Sequence, residues 1–169
     1  MQNEITTPDH HQSRVLPVIL AGLAGGLTEV VWITCYSSLS STSATEVASQ
    51  ITATVMTVGA GGSLTPALGV TIHLLLSIVL ATAFVLALYG PIARRFGATG
   101  IFISGLATLA AVWSVNFLIL LPILNPRFPL LMPYAVTFTS KLLFGAAMSW
   151  VLIRTGVKKP QRMLSTPPM

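Results

Sequence analysis

Residues 66–89, with the sequence PALGVTIHLLLSIVLATAFVLALY, decide the fold class of this chain. This stretch contains no Asp, Glu, Lys or Arg. It is longer than the run of about 20 apolar residues that a helix needs to cross a bilayer. Similar runs predict helices over residues 15–36, 99–121 and 134–153. We therefore predict an all-α integral membrane protein with a four-transmembrane-helix bundle.

The composition is typical of a surface that faces lipid. Of the 169 residues, 53% are hydrophobic and only 8% are charged, whereas a soluble domain carries about 25% charged residues. The net charge is +5, but the basic residues lie near helix ends, which argues against nucleic-acid binding. The single cysteine, Cys35, excludes an intrachain disulfide and is expected to be buried. The length predicts one membrane domain, 15–156, between an N-terminal segment, 1–14, and a C-terminal tail, 157–169.

The positions of Lys and Arg predict the orientation of the helices. Arg14 precedes the first helix, and Arg94 and Arg95 separate the second from the third. The fourth helix is followed by further basic residues, namely Arg154, Lys158, Lys159 and Arg162. Of the other two loops, only the second contains a basic residue, Arg127. Because Lys and Arg concentrate in cytoplasmic loops, we predict cytoplasmic termini and two loops that face the periplasm across a bacterial inner membrane.

The first outer loop, residues 37–65, contains a shorter helical pattern. Apolar residues recur at helical spacing at Val47, Ile51, Val55 and Val58. Ser43 and Glu46 have the spacing of a capping box, in which each side chain accepts a hydrogen bond from a free backbone N–H. We predict a short helix over about residues 44–57 on the outer surface. The alternative is a disordered polar loop.

The second outer loop contains Pro126, Pro129 and Pro133, which exclude a continuous helix because proline lacks an N–H and fixes φ. Its apolar residues are Phe128, Leu130, Leu131 and Met132. They predict that this loop dips into the membrane interface or packs on the bundle. Pro122 is expected to kink the end of the third helix.

Small residues predict how the helices pack, because close approach of backbones stabilises helix contacts in membranes. The first helix carries Gly22 and Gly26 four residues apart, beside a second pair, Ala21 and Gly25. Glu29 follows these glycines by three and four residues and shares their face. Similar stripes are predicted at Gly69, His73, Ser77 and Ala81, at Gly100, Ser104 and Thr108, and at Lys141, Gly145 and Ser149.

Each predicted helix contains one strongly polar side chain: Glu29, His73, Asn116 or Lys141. At a rise of about 1.5 Å per residue, all four lie about 8–10 Å from the outer ends of their helices. Three of them also lie on the small-residue stripes, whereas Asn116 does not. An isolated charge at mid-helix costs about 2.5–3.5 kcal/mol on insertion scales. We therefore predict a buried Glu29–Lys141 pair, with His73 and Asn116 completing an intramembrane polar layer.

Three interpretations of this polar layer are open. It forms a structural clip that fixes helix order and register, it relays ions or protons, or it binds a metal. The single histidine and the nearby lysine cation disfavour a metal. The inner half of the bundle contains hydroxyl groups but no further charged or imidazole group. Transport across the membrane is disfavoured for that reason.

The sequence contains no catalytic motif: it has no nucleotide-binding glycine loop, CxxC, HExxH or carboxylate pair. We predict no enzyme activity, no metal and no cofactor. The small soluble part and the packing faces favour a non-catalytic accessory or structural subunit of a larger membrane complex, for example an energy-converting one. The alternative is a small oligomeric transporter or channel for protons, ions or a small solute. Expected partners are the lipid bilayer and other membrane subunits or further copies of the chain, and not nucleic acid.

Overall fold

The computed structural model describes residues 12–56 and 65–156, and every regular element within this part of the chain is a helix. The helices are α1 (Gln12–Ser38), α2 (Ala44–Val55), α3 (Thr65–Phe84), α4 (Gly90–Val115), α5 (Leu121–Leu124) and α6 (Tyr134–Thr155). Two π-helical turns, Val85–Tyr89 and Asn116–Leu120, join α3 to α4 and α4 to α5, and a 3-10 turn covers Phe128–Leu130. The predictions for Val58, for residues 1–11 and for the C-terminal tail fall outside the described residues, whereas residues 12–14 of the predicted N-terminal segment belong to α1.

Three helical runs in the described part of the chain are long and apolar enough to cross a membrane: Val15–Ser38, Thr65–Leu124 and Tyr134–Thr155. Large apolar side chains cover much of their outer surface, and Leu86, for instance, is 80% exposed. Water would disfavour such a surface, whereas lipid tails would solvate it. The described residues thus have the features of a helical membrane protein, as the apolar runs predict.

The middle run differs from the prediction, which places a loop between the second and third apolar runs. Residues 90–96 are helical instead, because Ile92 and Ala93 pack against the buried core and extend the helix. The helical backbone is interrupted at Gly97, where φ is 60° and ψ is −150°. A residue with a Cβ atom rarely adopts this conformation. One glycine therefore takes the place of the predicted loop.

A proline closely follows each π-helical turn. Pro91 and Pro122 lack an N–H, and each ring would collide with the carbonyl group four residues earlier in a regular α-helix, at Ala87 and Leu118 respectively. Both of these carbonyl groups belong to the π-helical turns. The wider turn separates the carbonyl group from the proline ring. At Pro122 the predicted kink thus takes the form of a π-helical turn.

The small residues of α1 face two neighbouring helices. A Cβ atom at Gly22 would lie 2.6 Å from Ile78 Cα, and one at Gly26 would also meet α3. A Cβ atom at Gly25 would lie 2.6 Å from the Phe144 ring, so this glycine contacts α6. The two overlapping motifs therefore allow α1 to pack closely against α3 and α6 at once.

The order of the packed helices is α3, α1, α6, α4. Along α1 and α6 the contacts run from Gly25–Phe144 to Trp32–Val136, so these two helices are antiparallel. The contacts of α3 with α1 and of α4 with α6 also run in opposite chain directions. Two helices that are consecutive in the chain, α3 and α4, therefore lie at opposite ends of this order.

The stripe on α4 is shifted by one residue from the prediction, which is wrong here. The prediction is Gly100, Ser104 and Thr108. The residues that are buried are Ile101, Gly105 and Leu109. A Cβ atom at Gly145 of α6 would lie 2.9 Å from the carbonyl oxygen of Gly105, so Gly105 marks the closest approach. Ser104 needs no partner on α6, because its hydroxyl donates to a carbonyl group of its own helix.

Two apolar clusters occupy the two ends of the molecule. The first includes Phe84 and Leu152, and the start of α1 and the segment around Ile92 pack against it. We call this the basic end, because the neighbouring segments carry Arg94, Arg95 and Arg154. The second cluster includes Ile33, Val47 and Met132, and we call its side the α2 end. The structure therefore separates the chain segments into the two groups that the distribution of Lys and Arg predicts.

At the α2 end, α2 packs across the start of α3. A Cβ atom at Gly69 would overlap the carbonyl group of Ala48, which shows how closely the two helices approach. The capping box predicted for Ser43 and Glu46 is wrong. Ser43 is the N-cap residue, but its hydroxyl lies 2.6 Å from the Thr45 hydroxyl and caps no backbone N–H. The helix forms nevertheless, because its apolar face packs on α3.

The second outer loop packs on the bundle, which agrees with one of the two placements predicted for it. Pro129 and Met132 are buried, and the carbonyl group of Leu131 accepts a hydrogen bond from the Thr42 hydroxyl. The prediction for Cys35 is wrong, because this side chain is exposed. Two residues before Cys35 on α1, Ile33 provides the buried face at this level.

Candidate functional site

Glu29, which is buried, and Lys141, which is partly buried, form an ion pair between α1 and α6. The Lys141 Nζ atom lies 2.7 Å from Glu29 Oε1 and 2.8 Å from Glu29 Oε2. The Ser140 hydroxyl donates a third hydrogen bond to Glu29 Oε1, at 3.0 Å. Gly25 lies one turn before Glu29 and lets α1 approach α6 closely enough for these short contacts. The pair therefore forms where the small residues of α1 bring the backbones together.

His73 brings α3 to the same carboxylate. Its Nε2 atom lies 3.7 Å from Glu29 Oε2 and 3.3 Å from the carbonyl oxygen of Gly26. With the proton on Nε2, the ring donates to this carbonyl group and stays within reach of the carboxylate. Glu29 thus lies at the point where α1, α3 and α6 meet.

Asn116, the fourth predicted member of the layer, lies apart from these contacts. Its side chain lines a cleft that also reaches Glu29, His73 and Lys141. It makes no side-chain hydrogen bond to any described residue, and its backbone carbonyl accepts the N–H of Leu121 in the π-helical turn. The structure therefore brings together three of the four predicted residues and leaves the amide of Asn116 facing the cleft.

A connection from α4 to the ion pair runs through Thr137, which the sequence reasoning missed. The Trp113 Nε1–H donates to the Thr137 hydroxyl at 3.0 Å. The single Ser140 hydroxyl proton is shared between the backbone carbonyl of Thr137, at 2.7 Å, and Glu29 Oε1, at 3.0 Å. Thr137, Ser140 and Lys141 lie at helical spacing on one face of α6, and this spacing is the signal that could have identified Thr137.

An aromatic cluster holds Trp113 in place. Its ring stacks on Phe117 with 5.6 Å between centroids, and it meets the rings of Tyr134 and Phe138 edge-on at 5.8 Å and 5.1 Å. Aromatic pairs at such distances are stabilised beyond their buried area. The cluster therefore fixes the indole N–H toward Thr137.

A cleft of about 510 Å³ opens onto the polar residues. We call it the α3–α4 cleft, because one wall is formed by α3 and the other by α4, the second π-helical turn and α5. The back wall is formed by α1 and α6, and it carries Glu29 and Lys141. Leu76, Leu120 and Leu124 line the cleft and are exposed as well, so it opens sideways between the two walls.

The roof of the α3–α4 cleft is α2. Ala48 and Ile51 line the cleft from this side. The Asn125 amide N–H₂ donates to Gln50 Oε1 at 2.9 Å and to the Thr54 hydroxyl at 3.1 Å, which ties α2 to the end of α5. Because α2 also packs on α3, it bridges the two walls and covers the α2 end of the cleft.

Toward the basic end, the described side chains beyond the ion pair are densely packed. Phe84, Phe144, Met148 and Leu152 are at most 2% exposed. The hydroxyl groups of Ser77 and Ser149 donate to backbone carbonyl groups at this level. Within the described residues, Glu29 and its polar partners therefore lie between the cleft on one side and a packed apolar layer on the other.

The chemistry of this arrangement is limited by its residue types. In the described part of the chain, no three His, Cys, Asp or Glu side chains converge as metal ligands would. Glu29 is engaged by Lys141 and Ser140, and it is the carboxylate that the cleft reaches.

Comparison of the chain with protein-family models, with curated proteins and with solved structures found no match, so its function has to be inferred from this geometry.

Proposed function

We propose that the chain crosses the membrane four times. The middle run contains 60 residues. As one straight helix it would be about 90 Å long, whereas the hydrocarbon core is about 30 Å thick. The break at Gly97 divides this run, and its first part packs on α1 while its second part packs on α6. The four membrane segments in this proposal are α1, residues 65–96, residues 98–124 and α6.

The basic end is cytoplasmic in this proposal, and the α2 end faces the periplasm of a bacterial inner membrane. Support comes from Arg94, Arg95 and Arg154 at the first end, against Arg127 at the second. Arg14 at the start of α1 adds to this asymmetry. Lys and Arg near the ends of membrane helices set their orientation.

Cysteine labelling tests this topology. In a Cys35→Ser background, we expect a membrane-impermeant maleimide to label Ser41→Cys in intact spheroplasts. The matched variant Arg95→Cys should be labelled only after permeabilisation, since both positions are exposed but lie at opposite ends. The reverse pattern would contradict the proposed orientation, and labelling of both sites from outside would contradict the membrane crossing between them.

The role that this arrangement supports best is a non-catalytic accessory or structural subunit of a larger membrane complex, such as an energy-converting one. The observation that carries it is the Glu29–Lys141 pair, because both charges are engaged in joining α1 to α6. The packed apolar layer beside the pair adds support, since it offers no polar route toward the basic end. Such a bundle has a fixed shape and presents apolar faces for neighbouring membrane proteins.

Purification in a mild detergent tests this role. We expect the chain to leave the membrane with at least one other membrane polypeptide in a fixed ratio, measured by native mass spectrometry. The double variant Glu29→Gln/Lys141→Met should retain the partner, because the pair acts inside the bundle. A chain that runs alone, or only with further copies of itself, would contradict the proposal.

A small oligomeric transporter or channel is the second candidate, and the α3–α4 cleft is the observation that favours it. A molecule in the cleft would lie within reach of Glu29, His73 and Lys141. Transport would require the packed layer around Phe144 and Met148 to open. Proton or ion flux into liposomes that contain only this protein, and that is lost in Glu29→Gln, would support this candidate over the first.

A further inference from the structure

The walls and the back of the α3–α4 cleft differ in chemistry. Apolar side chains such as Val70, Leu80, Val112 and Leu121 form most of the lining. The polar side chains Lys141, His73 and Asn116 also line the cleft. A volume of about 510 Å³ lies within the range of about 300–1,000 Å³ that is usual for small-molecule sites. The cleft therefore suits a molecule with a polar head and a hydrocarbon body.

The polar side chains in the cleft retain free hydrogen-bonding capacity. Lys141 carries three N–H groups, and within the described residues only the two oxygens of Glu29 accept from them. The His73 ring uses Nε2 toward Gly26, and its Nδ1 atom has no partner among the described residues. The Asn116 amide likewise has none there. These groups are open to the cleft and can bond to a ligand there, and a ligand that supplies partners would offset the cost of removing them from water.

The charges near these groups cancel. The Glu29 carboxylate lies 2.7 Å from the Lys141 ammonium group and neutralises it. A ligand with a carboxylate or phosphate group would therefore lose its hydration shell without meeting a free cation, and it would lie close to Glu29. A neutral head with a carbonyl or hydroxyl group can accept from Lys141 or Asn116 at a smaller desolvation penalty.

The openings of the cleft indicate where such a ligand comes from. The roof formed by α2 is held by Ala48 against Gly69 and by the hydrogen bonds of Asn125. The side opening between Leu76 and Leu120 is apolar and lies between membrane-length helices. A ligand that enters by this route is dissolved in the lipid and not in water.

We propose that the α3–α4 cleft binds a neutral, membrane-soluble amphiphile whose carbonyl- or hydroxyl-bearing head contacts Lys141, His73 and Asn116. Its hydrocarbon tail leaves the cleft between α3 and the second π-helical turn, past Leu76 and Leu120. This binding site does not depend on the subunit role proposed above, because all of its residues belong to this chain. A failure to find a partner polypeptide would leave it unaffected.

Photolabelling in phosphatidylcholine nanodiscs tests this site. The probe is a long-chain alcohol with a photoreactive diazirine in its tail, and the matched control probe is the fatty acid with the same tail, ionised. We expect saturable labelling of residues on the two cleft walls by the alcohol, mapped by mass spectrometry, and at least tenfold weaker saturable labelling by the acid. Excess unlabelled alcohol should remove this labelling.

Three variants test whether the saturable labelling arises from the α3–α4 cleft. Val70→Phe fills the cleft and should abolish saturable labelling, whereas Val79→Phe, on the 63% exposed lipid-facing side of α3, should not change it. Asn116→Ala breaks no side-chain hydrogen bond with the described residues, so the fold should persist and the affinity should fall about tenfold.

Several outcomes would overturn the proposal. Labelling spread evenly over lipid-facing residues such as Leu86 and insensitive to Val70→Phe would mean that only bulk lipid fills the cleft. Equal labelling by the fatty acid would contradict the argument from charge. Cleft walls that are protected by a co-purified polypeptide and never labelled would show that the cleft is a subunit interface.

Discussion

Replacing Glu29 with Gln should lower the free energy of unfolding by up to about 3–5 kcal/mol, the range for a fully buried pair, because it leaves the Lys141 ammonium group, whose side chain is only 14% exposed, without its counter-charge. Ser140 can still donate to the amide oxygen, but this neutral contact does not replace a charge. The change can be measured by titrating the detergent-solubilised protein with a denaturing detergent and following its helix content. Glu46→Gln is the matched control, since Glu46 is exposed on α2 and should change the free energy by less than about 0.5 kcal/mol.

Substitution of Lys141, alone and together with Glu29, tests whether the two side chains stabilise each other. Lys141→Met should also destabilise the protein, since the buried Glu29 carboxylate loses its lysine counter-charge and keeps only Ser140 and His73 as neighbours. The double variant Glu29→Gln/Lys141→Met should recover much of the loss, because no isolated charge remains. If the effects of the two single changes simply add in the double variant, the two side chains do not stabilise each other and the pairing is refuted.

The second large effect is expected at the closest approach of α1 and α3. Gly22→Ala should destabilise the protein by about 1–3 kcal/mol, because the new Cβ atom would lie 2.6 Å from Ile78 Cα. That neighbour is backbone, so the whole of α3 has to move away. His73 moves with it and loses its contact with Gly26. The free energy of unfolding measures the first effect, and cross-linking between cysteines placed on α1 and α3 measures the second.

Gly90→Ala is the matched control for this substitution. A Cβ atom at Gly90 has no neighbour within 4 Å, and alanine in a helix is more favourable than glycine by about 0.5–1 kcal/mol. The Pro91 ring crowds the Cβ atom of a helical residue before it and offsets this gain, so we expect Gly90→Ala to change the free energy of unfolding by less than about 1 kcal/mol. A loss at Gly22 no greater than the change at Gly90 would show that the small-residue contact does not limit the approach of the two helices.

Much of the packing on α1, α3 and α6 could be predicted from the sequence, because small residues mark close approach whatever the helix order. Gly22 and Gly26 meet α3, and Gly145 meets α4, as a Cβ atom added at each position shows. The Glu29–Lys141 contact could be predicted from the free-energy cost of an isolated charge within a membrane helix. Two opposite charges at the same depth reduce this cost when they pair.

The buried face of α4, the placement of Asn116 and the cleft depend on how each helix is rotated about its axis. The order of residues in the sequence does not determine this rotation. On α4 the buried face is set by Gly105 and not by Gly100, because Gly100 lies just after the break at Gly97 and its nearest neighbours include Phe96. Asn116 lines the same cleft as the other three polar residues but makes no side-chain hydrogen bond to Glu29 or to any other described residue. The cleft could not be predicted at all, because it results from α3 and α4 lying at opposite ends of the helix order.

The long chain separation within the ion pair has a consequence for biosynthesis. Glu29 leaves the ribosome 112 residues before Lys141, an interval of about 6–22 s at about 5–20 residues per second. During this time the first helix carries a carboxylate whose counter-ion has not yet been made. A nascent chain in a bilayer must therefore keep this group protonated, hydrated or shielded by the insertion machinery. Because α6 is synthesised after α1 and supplies the counter-charge of Glu29, a chain that stops before α6 keeps an unpaired carboxylate that quality-control proteases could recognise.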